Sequence, residues 1–247
     1  MGNVIVITSG KGGTGKTALT AGLGAALARM DRKVLCIDSD VGLRNLDITL
    51  GMTDAAVMDF SDVVTGGCAL SDAAVPHPTL SNLHLLTAPL SLPECFPGED
   101  GFRALLREAR DCYDDILIDS PAGLGAGFRL AVCDADRAIV VAMNDPSSLR
   151  DAQRVVGELS SLETVHLVVN RVRRRILQRM DATIDDAMDT VGLPLLGLVP
   201  EDANVLLAAN GGKLVSELSQ KGAALAFANM ARRLTGEEVP LMRIRAR

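Results

Sequence analysis

The chain has 247 residues, 48% hydrophobic and 23% charged, with no Trp and five Cys, a composition that excludes disordered, fibrous and disulfide-scaffold classes. A net charge of −6 excludes a surface that is basic throughout and tracks nucleic acid, leaving only the local cluster Arg171, Arg173, Arg174, Arg175 and Arg179. No uncharged apolar run reaches the roughly 18 residues of a membrane-spanning helix, and the amino terminus enters a strand-like run at once without a leader pattern, so a cytoplasmic location is expected.

Short runs rich in Val, Ile and Leu predict strands over 3–8, 33–38, 83–88, 115–119, 137–143, 165–170 and 195–199. Most are continuous and not alternating, as for strands buried on both faces of a parallel sheet. Helices are predicted between them over 16–30, 101–111, 146–160, 181–191 and 216–234, the third opened by Asp145 as N-cap and Pro146 at the first helical position. The alternation predicts an α/β fold, a doubly wound and mainly parallel sheet with helices on both faces. Residues 1–240 read as one domain and 241–247 as a short basic tail, while 75–97 reads as a surface excursion around one strand.

Ligands of such sheets bind at the carboxyl ends of the strands. After the first strand, Gly10-Lys11-Gly12-Gly13-Thr14-Gly15-Lys16-Thr17 satisfies G-x-x-x-x-G-K-[ST] and opens a predicted helix. The glycines let backbone N–H groups turn inward to phosphate oxygens, Lys16 reaches the β- and γ-phosphates, and the Thr17 hydroxyl ligates Mg²⁺. Lys11 and Lys16 are two of only five lysines in the chain. Asp38 and Asp40 follow the second strand, and Asp119 ends the apolar run 115–119 in the manner of a metal-holding aspartate. Aromatic scarcity predicts a nucleotide base lying against aliphatic groups. His77, His84 and His166 are scattered and receive no catalytic role.

A plain phosphate loop does not require Lys11, and Lys11-Gly12-Gly13-Thr14-Gly15-Lys16-Thr17 resembles the deviant Walker A motif of the MinD/ParA ATPases. Asp38-Ser39-Asp40-Val41-Gly42-Leu43-Arg44-Asn45-Leu46-Asp47 resembles the MinD-type switch I, and Asp119-Ser120-Pro121-Ala122-Gly123 its switch II. Segments 147–151, 209–213 and 229–234 extend the likeness over nearly the whole chain. The resemblance implies ATP/ADP and Mg²⁺, with residues 10–18 around the phosphates, Asp38, Asp119 and Thr17 toward the metal, and Asp40 orienting the attacking water. It further implies that the Gly123 amide senses the γ-phosphate, that Asn170, Arg171, Pro200 and Asp202 lie beside adenine, and that Lys11 crosses a homodimer to the partner's nucleotide.

As a function, the resemblance implies an ATP-hydrolysing dimerisation switch that positions the division septum. Its implied partners are a MinC-like division inhibitor, a MinE-like activator and the inner face of the cell membrane. Other readings are a partition-type ParA ATPase, a flagellar-number MinD relative and an iron–sulfur carrier; the acidic charge, Gly42-Leu43-Arg44-Asn45-Leu46-Asp47, and the lack of Cys in residues 119–123 weigh against them. Two departures stand out. Ala18 replaces a second hydroxyl, removing a hydrogen bond worth about 0.5–1.5 kcal/mol. MinD-type proteins also continue into an amphipathic helix, whereas residues 241–247 supply only about two helical turns.

Overall fold

Each parallel strand is a short aliphatic run whose alternate side chains enter different layers, so a strand with no polar face requires helices on both sides. In the first strand Val4 and Val6 join one buried cluster while Ile5 and Ile7 join the other. The computed structural model describes residues 1–53, 55–179 and 183–242. Its strands are β1 (Asn3–Thr8), β2 (Val34–Asp38), β3 (Val75–His77), β4 (Leu80–Leu86), β5 (Asp115–Asp119), β6 (Arg137–Met143), β7 (Thr164–Val172) and β8 (Leu195–Pro200). They form one eight-stranded sheet in the order β3-β4-β2-β5-β1-β6-β7-β8. All pairs are parallel except β3 with β4.

One layer contains helices Gly98–Cys112, Ala126–Val132, Pro146–Glu158 and Ile184–Val191, and the other contains Lys16–Ala28 and Ala223–Leu234. The last two pack closely because residue 22 is glycine: a Cβ there would lie 2.1 Å from the Phe227 ring. Chain direction across the sheet reverses around β1, which lies between β5 and β6 and is followed by the glycine loop. That is the switch point at which doubly wound sheets open a ligand crevice.

The excursion predicted over 75–97 contains the antiparallel edge strand β3, whose three residues and Pro76 hide it from periodicity; proline is tolerated because an edge strand has one unpaired side. The predicted helix 216–234 is two helices, Val215–Leu218 and Ala223–Leu234. They are separated at Gly222, whose φ is +62°, where the Asp202 carboxylate accepts from the Ala223 N–H. Predicted helix 181–191 is seen as Ile184–Val191, capped by Thr183, and its positions 181–182 lie outside the described residues. Arg243, Arg245 and Arg247 of the predicted basic tail also lie outside them.

Candidate functional site

The register of the sheet places the site's carboxylates. Asp38 of β2 pairs directly with Asp119 of β5, and Ile7 of β1 pairs with Asp119 on its other side. The glycine loop leaves β1 one residue later, so residues more than a hundred positions apart meet at one sheet edge. Among the described residues, the backbone N–H groups of residues 11–16 donate no hydrogen bond to protein. Gly15 adopts φ +94° as the residue preceding helix Lys16–Ala28, a left-handed conformation that a side chain disfavours. The buried Thr14 hydroxyl has no partner either. Free donors curled at a helix N-terminus fit a chain of phosphate oxygens.

Lys16 is 8% exposed and donates to the Ser9 hydroxyl at 3.0 Å, which in turn donates to the Lys11 carbonyl. Burial lowers the Lys16 pKa, opposed by the charges of Asp119 and Asp40. Lys11 is placed differently: its Nζ lies 3.4 Å from Asp145 Oδ1, and the same oxygen caps helix Pro146–Glu158 through the Ser148 N–H.

Asp119 is 3% exposed, and burial pushes its pKa up to about 7. Hydrogen bonding from Thr17 pulls that value down, the like charge of Asp38 raises it, and Lys16 and Thr20 lower it. Thr20 donates to Asp119 Oδ1 at 3.3 Å and to the Lys16 carbonyl at 3.1 Å. A buried carboxylate facing a second one, beside a threonine hydroxyl, fits a hard divalent cation. Mg²⁺ takes one or two protein oxygens and draws its other ligands from water and phosphate, so the pair Asp119 and Thr17 suffices. Among the described residues no group of three or more His, Cys, Asp or Glu forms a metal cluster of its own.

Asp38 is raised by burial, and both its oxygens accept backbone donors, the Asp40 N–H at 2.9 Å and the Leu46 N–H at 3.0 Å. It therefore shapes the loop that carries Asp40. Asp40, also raised by burial and opposed by the Lys16 charge, makes no hydrogen bond through its carboxylate among the described residues. The Gly123 N–H donates weakly to the Ser9 carbonyl at 3.3 Å, with φ of +85°. A γ-phosphate engaging this amide would exchange that contact.

In β7, Asn170 is 9% exposed and donates to the Thr14 carbonyl at 2.7 Å, while its Oδ1 accepts from the Arg171 N–H. It braces the phosphate loop: a Cβ on Gly15 would stand 2.3 Å from its amide nitrogen. Arg171 and Glu201 line a cavity of about 270 Å³ together with Asn144, Asp145 and Arg173 on its polar side and Met143, Val172 and Ile176 on its apolar side. Pro200 ends β8 opposite Val172. Asp202 is occupied by backbone donors, capping helix Ala203–Asn210 and the start of Ala223–Leu234. Ala18 faces helix packing on the side of Val205 and Phe227. Ser9, Thr20 and the Lys11 contact of Asp145 were not singled out from sequence; Thr20 falls one helical turn after Lys16, a spacing that could have exposed it.

Residues 5–215 match the CobQ/CobB/MinD/ParA nucleotide binding domain family. The chain is 41% identical over 246 residues to the septum site-determining protein MinD of Synechocystis sp., covering 98% of this chain and 92% of that protein. With the protein of the same name from Thermotoga maritima the identity is 40%, over 98% and 91% of the two chains. The fold superimposes on the MinC:MinD cell division complex of Aquifex aeolicus with TM-score 0.90 at 38% identity, covering 98% of each chain. It superimposes on MinD complexed with Mg-ADP from Pyrococcus horikoshii with TM-score 0.82 at 30% identity, covering 96% and 97%. Likeness to a ParA family ATPase of Chlorobium tepidum, at 19% identity, shows the shared fold alone. The chain therefore belongs to the MinD branch of the MinD/ParA family of P-loop ATPases, which bind ATP or ADP with Mg²⁺.

Proposed function

We propose that this chain is an ATP-driven dimerisation switch in the placement of the division septum, acting at the cytoplasmic face of the cell membrane. The observation that carries this reading is the unequal placement of two lysines in one loop: Lys16 is buried against its own site, while the Lys11 ammonium, among the described residues, meets Asp145 in a partly exposed contact. A half-exposed pair is weak and readily exchanged. Lys11 is therefore available to a nucleotide in a second copy of the chain.

Hydrolysis of a phosphoanhydride needs an in-line water and offset charge on the γ-phosphoryl oxygens. Asp40 orients the water, Lys16 of the same protomer and Lys11 of its partner offset the charge, and the Gly123 amide reports whether the γ-phosphate is present. Asp119 and Thr17 would hold Mg²⁺, which when bound would offset negative charge on the phosphates. Asp38 supports this site from the adjoining loop. Asn170, Arg171, Pro200 and Asp202 form the base side. In its ATP state the dimer presents a surface to a MinC-like division inhibitor, a partner supported by the MinC:MinD complex of Aquifex aeolicus, and a MinE-like activator returns it to the monomer.

The test separates assembly from chemistry. Lys11→Ala is expected to abolish the ATP-dependent dimer on size-exclusion chromatography while retaining ADP binding. Asp40→Ala is expected to remain an ATP dimer whose hydrolysis falls by about 10²-fold or more. A Lys11→Ala protein that dimerises with ATP like the parent overturns the shared-lysine mechanism.

A further inference from the structure

A second cavity, of about 480 Å³, opens beside the phosphate side of the site. Its volume lies in the range of small-molecule sites, about 300–1,000 Å³. Three segments enclose it: residues 39–41 after β2, residues 92–99, and residues 121–130 after β5. Arg129 and Glu99, 4.0 Å apart, join the last two segments, and the chain next to the first two is cross-linked. The Gly42 N–H donates to the Pro89 carbonyl at 3.1 Å, Arg44 donates to the Thr87 hydroxyl at 3.1 Å, and the Phe96 ring packs tilted against buried Phe60 with centroids 5.9 Å apart.

The lining divides by chemistry. Val41, Leu92, Phe96, Pro121 and Leu130 give an apolar wall. Asp40 and Glu99 add two carboxylates and Arg129 one guanidinium; among the described residues the Asp40 carboxylate has no hydrogen bond or ion pair, and Glu99 meets Arg129 only at 4.0 Å. A neutral apolar occupant would leave the Asp40 carboxylate further desolvated and without a hydrogen bond, which is costly, and the lining, with two carboxylates against one guanidinium, carries a net charge of −1 that disfavours an anion. An apolar body carrying one positive charge satisfies both parts of the wall.

We propose that this cavity binds an apolar organic monocation, with its body against Phe96 and Leu130 and its charge on Asp40 and Glu99. An N–H of the ligand donates to the carboxylates, as in other charge-assisted pairs. The occupant lies between the loop carrying Asp40 and the segment following Asp119, so it couples both loops to a site outside the nucleotide. With its charge on Asp40 it withholds that carboxylate from water and slows hydrolysis, while the phosphate loop still holds nucleotide. This hydrolytic consequence rests on the role proposed for Asp40, whereas binding itself does not.

Benzamidine is a suitable probe and benzamide its neutral isostere, titrated into the full chain with Mg-ADP by calorimetry. Benzamidine is expected to bind at least about tenfold more tightly than benzamide. Glu99→Gln, a surface change outside the nucleotide machinery, should weaken benzamidine about fivefold. Ala126→Leu, which narrows the cavity, should remove binding. In the hydrolysis assay benzamidine should slow the parent, and raising ATP should not relieve the inhibition. Equal binding of the two probes, indifference to both substitutions, or inhibition relieved by ATP would each overturn the assignment. Binding as expected with hydrolysis unaltered would keep the cavity assignment and refute the role given to Asp40 instead.

Discussion

At the ends of β2, β5 and β1, the charged groups Asp38, Asp119 and Lys16 are 1%, 3% and 8% exposed, and each is held by hydroxyls or backbone donors. At the ends of β7 and β8, Arg173 and Glu201 pair side by side with 56% and 43% of their side chains exposed. The same sheet edge thus combines a dry, charged pocket with a wet, charged rim. Burial strengthens electrostatic contacts and makes unmatched charge costly; exposure does neither. The dry half is accordingly sensitive to unmatched charge, and the wet half is tolerant.

The largest effect should come from Asp119. Its folded pKa of about 7 lies above the ordinary 3.8, so the folded state binds a proton more readily than the unfolded chain. That contribution is complete below about pH 4 and is lost as pH rises through about 7, leaving a buried charge in the nucleotide-free protein at pH 8. Asp119→Asn should therefore raise the melting temperature of the nucleotide-free protein at pH 8 by several degrees, with the gap closing toward pH 4, while eliminating measurable hydrolysis. Calorimetric scans across pH decide it, and a gap of equal size at both ends would refute burial as the cause.

A smaller effect is expected at the contact between the halves. Asp145→Asn preserves a good helix cap but removes the charge that Lys11 meets in its own subunit. Dimerisation with ATP should tighten about two- to fivefold, with the melting temperature unchanged within about 1 °C. Sedimentation velocity across a concentration series reads this directly; weaker assembly would mean that Asp145 supports Lys11 in the dimer. The smallest effect belongs to the wet rim, where Arg173→Ala should move the melting temperature by less than about 1 °C. A shift as large as that of Asp119→Asn would erase the distinction between the halves.

The strands were legible because parallel-sheet burial demands uninterrupted aliphatic runs: β1, β5 and β6 match their expected spans residue for residue. Helices of four or five residues, such as Leu46–Leu50 and Leu70–Ala73, complete too few turns to leave a periodic signal. Asp145 was readable as a helix cap because capping is local, yet its second contact, with Lys11, crosses 134 positions. The family resemblance puts Asn170 and Asp202 beside adenine, and the fold adds bracing contacts to Thr14 and Ala223 that no neighbouring residue announces.

Sequence by itself determined the glycine loop, its two lysines, the strand-ending aspartates and the layered α/β class, since each depends on neighbours within one or two turns of chain. Only the tertiary structure decided that Asp38 lies opposite Asp119, that Ser9 holds Lys16, that Lys11 rests on Asp145, and that a cavity opens beside Asp40. Those pairings follow from strand order and register, which are set by the collective burial of two faces of one sheet and are not encoded at any single position.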